Sequence, residues 1–72
     1  MNAIEFIRKQ IFNAKQSEFA EIARVAQATV SRWEAGVCSP TLEDMQAIRD
    51  EAKERGLEWS DAYFFNAPKE AA

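Results

Sequence analysis

Between Gln16 and Gly36 the chain carries two short helical segments joined by a turn of only three or four residues. That spacing constrains the fold more than any other feature. The first segment runs from about Gln16 to Ala23 and the second from about Gln27 to Ala35, where Gly36 stops it. Helices joined so tightly cross steeply, and the first needs a small residue where the second passes over it. Ala20 stands at that point. Both helices must also point apolar residues into a shared core, and Phe19, Ala23, Val25, Val30 and Trp33 have the spacing for it, with Val25 in the turn itself. The opposite side of the second segment, Gln27, Ala28, Ser31 and Arg32, is left free.

The rest of the chain reads as helix after helix, with no sustained period-two alternation, internal repeat or linker. Asn2 followed by Glu5 forms a capping box, and Ile4, Ile7 and Ile11 then give one apolar stripe. Asn13 suits a left-handed terminating position. Thr41 with Asp44 is a second capping box, opening a fourth helix with Leu42, Met45, Ile48 and Ala52 on one face and Gly56 at its end. In the aromatic segment Leu57 to Phe65 Ser60 suits the cap of a short fifth helix, with a strand as the alternative, and the chain is expected to fray after Pro68. The predicted class is all-α, with four to five helices in one domain over 1–66 and a frayed tail over 67–72.

Composition narrows the chemistry. Among 72 residues there is no histidine and a single cysteine, Cys38, so an internal disulfide, a multi-cysteine metal site and an imidazole base are excluded. No nucleophile–base pair or phosphate loop is evident, which argues against an enzyme and against a cofactor. Neither a membrane-spanning apolar run nor a signal-peptide pattern is present, and the expectation is a soluble cytoplasmic protein. The net charge is −3, but it is unevenly spread. Residues 1–36 carry Arg8, Lys9, Lys15, Arg24 and Arg32 against four acids, a net +1, whereas residues 37–72 sum to −4. A polyanion would therefore meet the front half.

The run Gln16-Ser17-Glu18-Phe19-Ala20, then Ala23, Val25 and Thr29-Val30-Ser31-Arg32-Trp33-Glu34-Ala35-Gly36, then Pro40, resembles the Cro and lambda-repressor type of helix-turn-helix regulator. The match is gapless over Gln16–Pro40 and looser out to about Ile4–Ala52. The resemblance implies a compact lambda-repressor-like domain with its helix-turn-helix at helices 2 and 3. It also implies double-stranded DNA as partner, with the second helix in a major groove about 12 Å wide. Gln27, Ala28, Ser31 and Arg32 become the candidate base contacts: Gln27 for an adenine edge, Ala28 for a thymine methyl, Arg32 for guanine O6 and N7, Ser31 as a weaker reader. Lys15, Gln16, Arg24, Thr29, Ser39 and Thr41 become the candidate phosphate contacts, together with the backbone N–H groups of the loop Val37–Thr41. Trp33 is core, Glu34 a structural partner with Lys9 as its candidate cation, and Cys38 an incidental loop thiol.

Three residues depart from the family pattern. Lys15 replaces a Ser or Thr cap, and a cation there opposes the helix dipole unless a phosphate docks on it. Arg24 replaces a turn glycine, at a cost of roughly 1–2 kcal/mol if it is left-handed. Ala26 replaces the serine cap of the second helix, weakening it by about 1 kcal/mol.

Leu57, Trp59, Tyr63 and Phe65 either cap the small core or contribute to a two-fold dimer seam, and a shared role is expected. A dimer would bind two half-sites about 34–36 Å apart on a pseudo-palindromic operator. The expected function is a phage- or prophage-type repressor or autoregulator acting by occupying a promoter, with no small-molecule effector evident. Two readings compete: an antitoxin-type regulator that sequesters a toxin through its acidic half, and a protein-interaction module that has lost DNA binding.

Overall fold

The computed structural model describes residues 2–65. They form α1 (Ala3–Phe6), which runs on into a π-helical stretch Ile7–Ile11, then α2 (Gln16–Ala23), α3 (Gln27–Ala35), α4 (Leu42–Glu54) and a 3₁₀ turn (Asp61–Phe64). No strand occurs among the described residues, so the fold is the all-α domain expected. The frayed tail expected over 67–72 lies outside the described residues. No helix is long and apolar enough to cross a membrane among the described residues.

The ends of the elements follow from local chemistry. Asn2 Oδ1 accepts from the Glu5 N–H at 2.9 Å, and Thr41 Oγ1 accepts from Asp44 N–H while Asp44 Oδ2 accepts from Thr41 N–H. Three helices end alike. The residue after the last turn takes a positive φ, and the N–H of the next residue reaches back to close a 2.9 Å bond: Val25 to Ala20, Val37 to Arg32, Leu57 to Ala52. Gly36 (φ 79°) and Gly56 (φ 72°) fill two of these left-handed positions; Arg24 (φ 62°) fills the third, against its own sterics.

The first helix does not stay α-helical, as its isoleucine stripe suggested. Phe12 N–H bonds Ile7 O at 3.1 Å, five residues back, so the turn widens. Asn13 then takes φ 51°, as a helix terminator should. Ser60 Oγ accepts from Ala62 N–H, and the expected fifth helix is a single 3₁₀ turn.

Helix α2 packs against both α3 and α4, while α1 rests on α3 and on the 3₁₀ turn. Phe19, Ile7, Ile48 and Val30 are fully enclosed, with Ile4, Phe6, Phe12, Ala20, Ala23, Trp33 and Ala52 completing the core. Each large side chain fully buried this way contributes about 1.5–3 kcal/mol. Phe12 meets Phe19 edge to face at 5.7 Å, and the Arg55 guanidinium lies 5.6 Å over the Phe12 ring. Leu42 corrects the expected apolar face of α4: it is 68% exposed, because it is the first helical residue and projects beyond the core that Ile48 and Ala52 reach. In the aromatic segment Leu57, Trp59, Tyr63 and Phe64 pack half-buried on the core, with Tyr63 edge-on to Phe6 at 5.2 Å. Phe65 is 73% exposed.

Candidate nucleic-acid interface

Successive residues of an α-helix are about 100° apart, which sorts α3 into two faces. Val30 and Trp33 are buried, with Thr29 and Glu34 half-buried on either side of them. Gln27, Ala28, Ser31 and Arg32 all lie on the exposed face, and Ala35, not singled out in the sequence, shares it. The centre of the face, Ala28, Ser31 and Ala35, is small; Gln27 and Arg32 flank it. Small side chains let a helix backbone come close to a groove floor, and the two long polar ones can reach past it.

Helix α3 is held from behind by polar contacts. Glu34 is the hub. Arg8 Nε donates to Glu34 Oε2 at 2.5 Å and an Arg8 Nη to Oε1 at 3.0 Å, a forked pair in which each side chain keeps about a tenth of its surface. That hydrogen bond and the charge of Glu34 push the Arg8 pKa up, against the opposing effect of its partial burial. The expected cation was Lys9. Helical spacing sets the outcome: Arg8, four residues after Ile4, lies at the edge of the apolar stripe and takes Glu34, while Lys9 points away from it and, four residues after Glu5, bonds that carboxylate at 3.1 Å. The Lys9 bond holds the Glu5 carboxyl below its ordinary value.

Gln16 and Asn2 complete the arrangement. Gln16 Nε2 donates to Glu34 Oε1 at 3.2 Å, so the start of α2 is tied to the last turn of α3. An amide NH₂ has two hydrogens, and the second has no partner among the described residues. Asn2 Nδ2 donates to the carbonyls of both Trp33 and Glu34, each at 2.9 Å, clamping the end of α3 to the start of α1. Asn2 was legible only as a cap for Glu5; its second function depends on a tertiary contact.

The cations divide by place with one exception, Lys53 at the end of α4, which is exposed and has no carboxylate partner among the described residues. Arg8, Lys9, Arg49 and Arg55 each have a carboxylate partner. Lys15, Arg24 and Arg32, all in the segment from Lys15 to Arg32, have none within 4 Å among the described residues, and all three are exposed. Arg24 lines a shallow groove between α2 and α4 together with Glu21, Glu43, Asp50, Glu51 and Glu54, an acidic setting.

Free backbone donors also collect here. Glu18 accepts from the Lys15 N–H at 2.9 Å, but a lysine ammonium has no lone pair with which to cap α2. Among the described residues the N–H groups of Gln16 and Ser17 therefore have no partner, and neither do those of Gln27 and Ala28 behind the uncapped Ala26. In the loop after α3 the expectation narrows. The Val37 N–H is used by Arg32 O and the Thr41 N–H by Asp44, and Pro40 has none. The Cys38 and Ser39 N–H groups have no partner among the described residues. Thr41 retains only its hydroxyl proton, since its oxygen caps α4.

A family model described as Helix-turn-helix matches residues 7–57, from the π-helical stretch through α4. Neither a curated protein nor a solved structure matches significantly. The matched segment is well over half of the chain and contains α2, α3 and the turn between them. The chain belongs to the helix-turn-helix family of lambda-repressor/Cro type, whose members are DNA-binding regulators.

Proposed function

We propose that the protein is a sequence-specific repressor that lays α3 in the major groove of an operator. One observation supports this most: the cations outside the α2–α3 region are mostly paired with carboxylates, whereas Lys15, Arg24 and Arg32 in it are unpaired among the described residues. Unpaired surface cations gain most from a phosphate or a base edge, because no internal partner is given up. In this reading Arg32 and Gln27 carry direct readout, Ala28 and Ser31 contribute close apolar and weak polar contact, and shape readout supplies the rest. Lys15, Gln16, Thr29, Ser39 and Thr41 grip phosphate, joined by the open N–H groups at the starts of α2 and α3 and in the loop. Arg24 is the weakest member of that group, because carboxylates surround it. Two copies on a pseudo-palindromic operator give a Cro-like repressor that blocks a promoter by occupancy.

Selection of bound duplexes from a random pool tests this, repeated with Gln27→Ala and Arg32→Ala. Arg32→Ala costs about 1–3 kcal/mol on the selected site and relaxes one base position. Gln27→Ala relaxes a different position. Variants that select the same sites with the same affinity overturn the groove assignment, and no affinity for any duplex at low salt leaves a protein-interaction module.

A further inference from the structure

We propose that Arg8 is a positioning residue for the DNA backbone: from behind the helix pair it presets Lys15 and Gln16, the two side chains that open α2, for one stretch of phosphates. This role rests on the proposed DNA reading and adds to it a residue that does not itself meet DNA. Two routes lead from the one guanidinium to the two neighbouring residues. The first runs through Ala14. Its N–H donates to the Arg8 carbonyl at 3.0 Å, and its carbonyl accepts from an Arg8 Nη at 3.0 Å, so both polar groups of Ala14 end on Arg8. The peptide joining Ala14 to Lys15 is therefore fixed on both sides, its C=O by Arg8 and its N–H by the Glu18 carboxylate at 2.9 Å. The Lys15 backbone is held while its side chain stays exposed, with no carboxylate partner among the described residues. The second route runs through Glu34. Arg8 forks onto both carboxylate oxygens, and Oε1 also accepts from Gln16 Nε2 at 3.2 Å. A glutamine side chain is otherwise free to turn; this bond restricts it and leaves its second amide hydrogen without a partner among the described residues.

Arg8 is badly placed to grip DNA directly. Its side chain keeps only 11% of its surface. Three of its five N–H groups are already spent. Its charge acts on Glu34 instead. A bare carboxylate one hydrogen bond behind Gln16 would repel an approaching phosphate; forked onto Arg8 it is neutralised, and Gln16 offers its donor from a neutral unit. Groups that folding has ordered need not be ordered again on binding, and two adjacent contacts on one frame fix the register along the backbone. No hydrogen bond of Arg8 reaches Ser39 or Thr41 among the described residues, so phosphates gripped by the loop after α3 are an internal control.

The measurement is affinity for the selected duplex with each phosphate in turn replaced by a neutral methylphosphonate. Positions whose penalty shrinks in Lys15→Thr or Gln16→Ala belong to those side chains, and wild type is expected to lose about tenfold at each. In Arg8→Lys, which keeps the charge but cannot hold both routes, that penalty falls to about threefold or less, while the penalty at the loop phosphates is unchanged. A merely structural role cannot do this, because a smaller folded fraction weakens binding to every duplex by one factor. Circular dichroism melts check that each variant folds. Glu34→Gln cuts only the second route and is expected to lose the penalty at the Gln16 phosphate alone. Wild type supplies a test that needs no variant: in proton–nitrogen NMR spectra of the free protein the Gln16 side-chain NH₂ stands apart from those of the exposed Gln10, Gln27 and Gln46. Full penalties retained in Arg8→Lys overturn the role of Arg8, as does an equal fall at the loop phosphates. So does a Gln16 penalty that survives in Glu34→Gln, or a Gln16 signal that coincides with those of the exposed glutamines. The DNA reading stands in each of those cases. A folded wild type that binds no duplex at low salt overturns the DNA reading itself, and this role with it.

Discussion

The Arg8 guanidinium forks onto the Glu34 carboxylate through two hydrogen bonds, of 2.5 and 3.0 Å, and a third Arg8 N–H reaches the Ala14 carbonyl at 3.0 Å. One side chain thus fastens the first helix, the loop before α2 and the last turn of α3. Removing either partner strands a largely enclosed charge. Glu34→Gln and Arg8→Ala are each expected to lower stability by about 2–4 kcal/mol in urea unfolding, somewhat less than the about 3–5 kcal/mol of a fully buried pair because each retains some solvent contact. Arg8→Lys rescues little, since an ammonium cannot fork. The pH dependence has a definite sign. A raised folded pKa keeps its stabilisation at every pH below the unfolded value and loses it as pH rises through the folded one. For Arg8 that window lies beyond the strongly alkaline limit, so its protonation contributes no change in stability between about pH 6 and pH 10.

Asn2 is a positioning residue for α3. Asn2→Ser keeps an oxygen to cap Glu5 but deletes both donations to the Trp33 and Glu34 carbonyls. Two half-buried bonds of this kind are worth about 1–3 kcal/mol together. A purely structural loss lowers the folded fraction, which scales specific and non-specific DNA affinity by one factor. Asn2→Ser is expected to do more: to narrow the ratio between the selected site and random duplex, measured by competition at a temperature where the variant is fully folded.

What the sequence disclosed and what it hid divide along a physical line. The bounds of α2 and α3, the caps at Asn2, Thr41 and Ser60, the left-handed Asn13, and buried Trp33 are set by neighbours in the chain, and all were legible. The π-helical turn was not, because Ile4, Ile7 and Ile11 fit an α-helix equally well; that Arg8 and not Lys9 faces Glu34 was readable from the same stripe, since Arg8 follows Ile4 by four residues. The exposure of Leu42 and the second role of Asn2 depend on what lies across the core. Within the candidate site, exposure of Gln27, Ala28, Ser31 and Arg32 followed from periodicity, whereas the spent Val37 and Thr41 N–H groups did not.

Arg24 occupies at φ 62° the position that glycine fills at the ends of α3 and α4. A left-handed arginine costs about 1–2 kcal/mol, part of which glycine returns through its freer unfolded chain. Arg24→Gly is therefore expected to stabilise by about 0.5–1 kcal/mol, seen as a rise of roughly 2–8 °C in Tm. Because five carboxylates share its groove, the same change is expected to lower the salt slope of DNA binding by well under the roughly 0.9 of a full phosphate contact. A slope shallower by about one would assign Arg24 to a phosphate after all.

Lys15 stands where an isolated domain has no use for it. It precedes α2, where the helix dipole disfavours a cation by about 0.3–1 kcal/mol, and it contributes no side-chain cap. No carboxylate lies within 4 Å of it among the described residues. Lys15→Thr relieves the dipole and supplies a hydroxyl cap, so stability rises by about 0.5–1.5 kcal/mol. If the residue is kept for a phosphate, DNA affinity falls for selected and random duplexes alike, and the slope of log K against log salt loses about 0.9. Lys53 is the control: an exposed cation in the last turn of α4, also unpaired among the described residues. Lys53→Gln removes the same charge from the acidic half and is expected to leave the slope where it was. Equal losses from the two variants would mean that DNA sees only the total charge of the protein, and the face built on α2 and α3 would have no claim to the phosphates.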